Sequence, residues 1–465
     1  QVSGAHYNVA IGHSALKAST TASSNTAVGF SALLANTTGT ENVAVGATAG
    51  DALTTGSENV VIGSDALSTS TTGGNNVAIG RMALRVSTAT GNTAVGHQSM
   101  LANTTGAANV AVGKNALDSN TTGDTNTAIG YDALEDNSTG SNNVAMGGDA
   151  LKAWLGSANT AIGYGALKLN TTGGGNVAVG AYSGDAVTTA ENITAVGHQA
   201  ASATTTGSNN TALGTNALLV NSTGSGNVAI GKDAADAYTA NNITAVGLNA
   251  LSAATTGGGN VAVGYNALTS NTTGDNNTAI GYETMESSTT GTNNTAMGSQ
   301  ALDAHTTSHS NSAFGYGAGS DITTGGNNTC LGSNAGKSTS PSGSITTASN
   351  NIVLGDENAQ NLYCVQSSIS TSDKRDKTDI ENFDVGLSFI NKMKPVTYKW
   401  DRRSWYSDDL SVTPDGSKKE DVTHVGFLAQ DVKALEKEVG FANDKKDMLF
   451  VNLTDDDTRY GMKYE

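Results

Sequence analysis

The sequence predicts an all-β repeat solenoid, a parallel β-roll or β-helix, followed by a small α+β domain. Three observations carry that reading. A pentapeptide, Asn-x-Ala-apolar-Gly, recurs 21 times between Asn8–Gly12 and Asn351–Gly355. Its glycines are spaced by 17 residues, occasionally 16, and only the last interval is longer, at 23. Charge density then changes abruptly near residue 372: 36 of the last 94 residues are Lys, Arg, Asp or Glu, against 29 of the first 371. A strict period over three quarters of the chain means stacked copies of one small unit. The jump in charge marks a different kind of domain behind them.

One repeat reads clearly in Asn277–Gly291, NTAIGYETMESSTTG. The pentapeptide alternates with period two, as a short strand does. The residue before the glycine is apolar in all 21 copies and is expected to point into a core. The residue two before it is Ala in 18 copies, with Val61, Cys330 and Val353 as exceptions, and lies on the opposite face of the strand. So uniform a small residue points to another backbone packed close to that face. In 19 copies the Asn stands four residues before the Gly; at Gly197 and Gly247 an inserted Ile places it one further back. Stacked at about 4.8 Å, these amides can form a ladder and satisfy backbone groups at the corners.

A second apolar pair follows each glycine, usually Ala-Leu, as at Ala15-Leu16, Ala116-Leu117 and Ala267-Leu268. A polar stretch ending in Thr-Thr-Gly closes the unit as a turn. Two large apolar side chains and some alanine per unit bury too little surface to offset the ordering of 17 residues. An oligomer is therefore expected, with the Ala face closed against partner chains. If each chain coils by itself, 21 levels at about 4.8 Å span roughly 100 Å; three chains sharing one helix would span roughly 300 Å.

Composition excludes several function classes. The net charge of −17 disfavours nucleic acid and anionic membrane surfaces. No run approaches 18 consecutive apolar residues, so membrane insertion is not expected, and no secretory signal is visible although the chain begins with Gln. The two cysteines, Cys330 and Cys364, lack metal or disulfide spacing, and Cys330 reads as a small buried residue in an Ala position. No cofactor or metal site is expected. Carboxylates in the repeats vary from copy to copy, so no paired acidic site for a polysaccharide-cleaving enzyme stands out. The sequons at Asn36, Asn103, Asn120, Asn170 and Asn271 are by-products of the Asn-Thr-Thr-Gly turn.

Three segments are assigned: a solenoid shaft over 1–336, a linker and last strand motif over 337–371, and a C-terminal domain over 372–465. The linker includes the Ser/Thr-rich Lys337–Asn350 with Pro341, and Asn361–Thr371 reads as a strand. In the C-terminal domain Leu387, Ile390 and Met393 mark one helical face ended by Pro395. Val396, Tyr398 and Trp400 alternate as a strand, Val425–Leu428 is strand-like, and Val432, Leu435 and Val439 mark an amphipathic helix. The acidic run Asp455–Asp457 reads as a solvated loop rather than a cation site.

The NVAIG and NTAIG units resemble the head repeats of trimeric autotransporter adhesins and the repeat shafts of phage tail fibres. That resemblance implies parallel β-rolls packed three abreast. From Ser372-Asp373-Lys374-Arg375-Asp376-Lys377 through VGLSFINKMKPVTYKW and HVGFLAQDVKALEKEVG, the C-terminal part resembles the intramolecular chaperone domain of phage tail spikes and fibres, the endosialidase-type self-cleaving peptidases. The family continues from a segment like Tyr460–Glu465 into a long helix; this sequence stops at Glu465. The resemblance implies that the domain trimerises, directs folding of the fibre and cuts itself off between Thr371 and Ser372. Ser372 would be the nucleophile and Lys377 its base. A lysine can act so only when its pKa of about 10.4 is lowered. Lys374 and Arg375 would lower it, and Asp376 would oppose them.

The expected protein is thus a homotrimeric tail-fibre shaft on a virion, or otherwise extracellular, whose sole enzymatic activity is autoproteolysis. Its partners would be itself, virion tail or baseplate proteins and a glycan or protein receptor on a host surface. The alternative is a bacterial extracellular adhesin or surface filament built from the same repeats.

Overall fold

The computed structural model describes residues 6–153, 155–359, 386–401, 406, 413–441, 450–453 and 460–462. The chain divides into two compact units, one of residues 1–330 with 346–352, the other of 331–345 with 353–465.

Each pentapeptide forms one three-residue strand, from β1 (Val9–Ile11) to β21 (Ile352–Leu354), and the 21 strands make a single sheet. Neighbouring strands are parallel and in register, with equivalent residues of successive repeats side by side: Val177 lies beside Thr194, Ala178 beside Ala195 and Val179 beside Val196. The sheet runs across the long last interval as well, where Thr329 N–H donates to Asn351 O at 2.8 Å and Gly355 N–H to Leu331 O at 2.7 Å. One chain supplies successive levels of its own ladder, each coil stacking on the next. The rest of each coil is laddered too. Leu33 N–H donates to Ala49 O at 3.0 Å, Ala35 N–H to Asp51 O at 2.9 Å, and Thr37 N–H to Thr54 O at 2.9 Å.

The faces of the strand are the reverse of the expectation from sequence. The central residue, Ala in most copies, is buried in β2 through β21, whereas the residue before the glycine is partly or fully exposed in every strand. Ala44 is 0% exposed while its neighbour Val45 is 37% exposed. A three-residue strand has one inward position at its centre, and that position must share its face with the Asn two residues earlier. The coil interior is narrow: Ala of the strand, the following Ala-Leu pair and the Asn side chains fill it. Val, Ile, Leu, Met or Phe before the glycine instead form a continuous outward apolar ladder with the Val or Thr two residues earlier.

The Asn ladder forms as expected. Asn42 donates Nδ2–H to Gly56 O at 2.9 Å, and its Oδ1 accepts the backbone N–H of Asn59 at 3.1 Å. At Gly197 and Gly247, however, nothing is inserted. Ile193 and Ile243 occupy the Asn position itself, buried at 0% and 2%, and their N–H groups still donate to Asn176 and Asn227. The flanking Asn192 and Asn242 sit at a left-handed corner, φ 57° and 60°, that Asn75, Asn142 and Asn209 also occupy in their coils, each just before the ladder residue.

Corners explain the glycines. Gly29 has φ 143°, and a Cβ there would lie 2.3 Å from Gly46 O. The same stacking recurs from coil to coil, so no side chain fits at this position. Two residues later and four residues later the chain turns again through left-handed positions, as at Ser31 (φ 56°) and Leu33 (φ 49°). A leucine at positive φ is strained, and its complete burial offsets that strain.

Glycine replaces that leucine in four coils, and in three of them, at Gly50, Gly184 and Gly319 but not Gly336, the lost volume is made good nearby. In those three an aliphatic residue three positions on fills the space, namely Leu53, Val187 and Ile322, all 0% exposed. Elsewhere that later position is commonly Asn, whose side chain closes the Thr-Thr-Gly turn: Asn36 Oδ1 accepts Gly39 N–H at 2.9 Å. Asn36, Asn103, Asn120, Asn170 and Asn271 are all 0% exposed, which removes the sequons as glycan acceptors in the folded shaft. Cys330 is fully buried in the row of alanines, and burial pushes its thiol up to about 11.

Between Gly336 and Thr346 the chain leaves the coil and returns, closed at its base by Ile345 N–H donating to Gly336 O at 3.1 Å. Asn361–Thr371, read above as a strand, and Cys364 lie outside the described residues.

Candidate functional site

Among the described residues, the C-terminal unit holds two short helices and two strand pairs. Helix α1 (Gly386–Lys392) ends before Pro395, as the sequence requires. Its buried residue is Phe389, while Leu387 and Ile390 are 73% and 57% exposed. The apolar face read from Leu387, Ile390 and Met393 is therefore largely the outer one. Phe389 stacks on Phe450 at 5.2 Å.

Strand β22 (Val396–Tyr398) pairs antiparallel with β23 (His424–Gly426), placing Tyr398 opposite His424 with their rings stacked at 5.6 Å. Trp400 packs edge-on against Tyr398 at 5.3 Å. The connection between the strands is pinned by Asp401, which accepts Tyr406 Oη–H at 2.8 Å and Gly416 N–H at 2.9 Å. Helix α2 (Ala429–Glu438) buries Ala429, Val432 and Glu436. Ala429 and Val432 pack with Val451 of β24 (Val451–Leu453), which pairs antiparallel with β25 (Tyr460–Met462). The buried Glu436 carboxylate accepts Phe450 N–H, and Lys392 meets Glu438 at 3.0 Å to join the two helices. Between these helices lies a cleft of about 550 Å³ whose lining includes Met393, Phe427, Leu428 and Leu435.

The expected nucleophile Ser372, its base Lys377 and the scissile partner Thr371 lie outside the described residues, as do Lys374, Arg375 and Asp376. The structure therefore carries no geometry for that dyad. Among the described residues, no group of three or more His, Cys, Asp or Glu is placed to hold a metal ion, and no helix is long and apolar enough to cross a membrane.

The shaft carries its own charged cluster. Lys152 Nζ bridges Asp132 at 2.8 Å and Glu135 at 2.9 Å, and Lys168 reaches Asp149 at 2.9 Å. Asp118 lies near Glu135, Asp132 and Asp136; burial, then these like charges, push its carboxyl up to about 6. Asp149 is held below the usual range by its hydrogen bond to Lys168. The two lysines pair with Asp132, Glu135 and Asp149 of these five carboxylates, and the cluster reads as structural. A perturbed carboxyl is a catalytic candidate only where a cleft and a partner accompany it.

A parallel β-solenoid followed by a small α+β segment is the build of a fibre-like structural protein. Residues 372–441 match the family described as chaperone of endosialidase, a family associated with self-cleavage. The match covers the C-terminal region and none of the repeats. No curated protein matches the chain.

Two features escaped the sequence reading. The outward Val/Ile ladder was legible in parity, since Asn and Ala are two residues apart and must share a face. The exchange between Leu and the position three residues later was legible only by aligning all repeats in columns.

Proposed function

We propose that the chain is a trimeric tail-fibre shaft that mediates attachment of a phage or other virus to a host surface, with a C-terminal domain that directs assembly and then cuts itself off. The carrying observation is the juxtaposition of 21 near-identical coils with a chaperone-family region directly behind them. In a trimer the outward ladders of Val, Ile, Leu, Met and Phe would face one another, removing from water a strip about 100 Å long. Such strips are nearly self-similar, so slipping by one coil costs little at any one level. Trimerisation at residues 372–465 would fix the register before the shaft of residues 1–336 closes, with 337–371 as the join. Exposed Leu387 and Val425, 73% and 74% accessible, offer apolar surface for that contact.

Cleavage would follow assembly. The Ser372 hydroxyl adds to the Thr371 carbonyl carbon, Lys377 takes the hydroxyl proton, and the Ser372 nitrogen leaves with a proton. An ester between Thr371 and Ser372 results, and water hydrolyses it. Expected partners are two further copies of the chain, virion tail or baseplate proteins, and a receptor on the host surface.

Denaturing electrophoresis with mass spectrometry tests the cleavage. The wild-type chain should yield a fragment beginning at Ser372, and Ser372→Ala and Lys377→Ala should remain whole. An intact wild-type chain under folding conditions, indistinguishable from Ser372→Ala, would contradict the assignment.

A further inference from the structure

The residue following each corner glycine faces solvent or lies near it, and in several coils it is a tyrosine. Tyr265 and Tyr282 occupy this position in adjacent coils, their rings stacked at 5.2 Å with planes 12° apart, and they remain 41% and 50% exposed. A row of planar polar groups is ordered beside them. Asn249 Nδ2–H donates to Asn266 Oδ1, Asn266 Nδ2–H to Glu286 Oε1, and Gln300 Nε2–H to Glu283 Oε2, each at 3.1 Å. Five amide or carboxylate side chains from four consecutive coils are thus held next to two rigid aromatic rings.

That pairing matches the surface of a sugar. A pyranose presents C–H faces that pack on aromatic rings, and a rim of hydroxyls that bond to amides and carboxylates. Tyrosine supplies such contact area at low conformational cost, and groups already ordered lose less entropy on binding. Local charge narrows the class. Burial first, then the like charges of Glu283 and Asp303, raises the cost of ionising Glu286, and the whole chain carries −17, so acidic polymers are repelled.

We propose that the strip of Tyr265 and Tyr282, flanked by Asn249, Asn266, Glu283, Glu286 and Gln300, binds a neutral polysaccharide lying along the shaft. This rests on the attachment reading above and names the chemistry of the receptor. A second aromatic strip supports the direction of the polymer. Tyr164 and Tyr182 meet edge-on at 5.4 Å and lean over glycines: a Cβ at Gly148 would lie 3.3 Å from Tyr164 Cδ2, and one at Gly165 would lie 3.3 Å from Tyr182 Cδ1. The two strips are six coils apart, about 30 Å along the axis, so one polymer can engage both and gain avidity.

Native affinity electrophoresis of the full chain through gels containing dextran, laminarin, galactomannan or the polyanion alginate tests this. The wild type should be retarded by at least one of the three neutral polymers and not by alginate. Tyr265→Ala/Tyr282→Ala should weaken that retardation on the order of tenfold, and Tyr265→Phe/Tyr282→Phe should retain most of it. Circular dichroism and melting of each variant establish that the shaft is intact. If the double alanine variant melts early, Glu286→Gln/Gln300→Ala supplies the second reading, with weakened retardation expected. Passage through all three neutral gels, retention by alginate alone, or undiminished retention of a folded double alanine variant overturns the proposal. The mass of the same preparation separates the two ideas: a three-chain species that ignores every neutral polymer removes the sugar strip and leaves the shaft reading standing.

Discussion

The side-chain carbonyl of Asn25 accepts the backbone N–H of Asn42 at 2.9 Å, a bond from one coil to the next made wholly inside the roll. Repeated up the shaft, it ties strand entry to the Thr-Thr-Gly turn through the same side chain, as Asn42 does with Gly56 at 2.9 Å. Buried backbone groups must be paired, and here an asparagine pairs two of them per level. Asn126→Ala removes the acceptor for Asn143 N–H and one of two donors to Gly140 O, Asn137 being the other. A loss of roughly 2–4 kcal/mol is expected in the coils around it. Hydrogen exchange at Asn143 should accelerate accordingly; unchanged protection would contradict the role given to the ladder.

The substitution of Leu by Gly at position 50 is compensated by Leu53. Leu53→Asn alone would leave a cavity, at a cost of about 2–4 kcal/mol. A Cβ at Gly50 would lie 3.1 Å from both Leu33 Cδ2 and Leu53 Cδ1, so Gly50→Leu alone crowds the same space. The pair Gly50→Leu/Leu53→Asn restores the arrangement of the other coils, with Leu at the left-handed corner and Asn closing the turn. Chemical denaturation should find the double variant more stable than either single one. Simple additivity of the two losses would show that the columns are not coupled.

Corner glycines differ sharply in what they tolerate. A Cβ at Gly113 would lie 2.2 Å from Gly130 O, at φ 141°, whereas Gly91 has φ 72° and nothing within 4 Å. Gly113→Ala should disrupt its coil, at roughly 3 kcal/mol or more. Gly91→Asn should be neutral within about 0.5 kcal/mol, since Asn75 and Asn142 hold the same corner at φ 58° and 60°. Equal melting temperatures for the two variants would be inconsistent with the stacked-glycine geometry.

Two groups, the buried His305 and the half-buried Asp118, make the shaft pH-sensitive in opposite directions. His305 takes the turn-closing position, its Nε2 2.8 Å from Ser308 O, and burial, opposed by that bond, holds its pKa below 6.5. The nearby His309 adds to the lowering. The unfolded chain then binds a proton that the folded one refuses, so His305 leaves stability intact above pH 6.5 and reduces it as pH falls toward the lowered value. Asp118 has the other sign. Its contribution is full below the ordinary 3.8 and is lost as pH rises through about 6. Melting curves across pH should show His305→Asn flattening the loss on the acid side. Asp118→Asn should raise the midpoint at pH 7.5 and leave it unchanged well below 3.8.

Repeat length, strand positions and the Asn ladder were legible because each depends on a period, and a period survives any uncertainty about handedness or face. The inside and outside of the strand were assigned wrongly because size was taken as the guide to burial. Val45 is larger than Ala44, yet the coil is too thin to hold it. Parity was the better guide: an Asn that bonds interior backbone groups fixes the face of the Ala two residues on. Ile193 shows the same lesson, since a column alignment places it in the ladder where local spacing reads an insertion. In the C-terminal unit, helix and strand positions followed periodicity and Pro395, while the burial of Phe389 over Leu387 depended on Phe450, distant in sequence. Ser372 and Lys377 came from motif resemblance, and their chemistry rests on the cleavage experiment.

The most direct test of the shaft account is the mass of the uncleaved Ser372→Ala chain in solution, measured by sedimentation equilibrium at micromolar concentration. A single species of three times the 46.7 kDa chain mass is expected, and it should dissociate when outward residues such as Ile162 and Leu213 are replaced by Lys. A stable single-chain mass, with the Val/Ile ladder left in water, would contradict it.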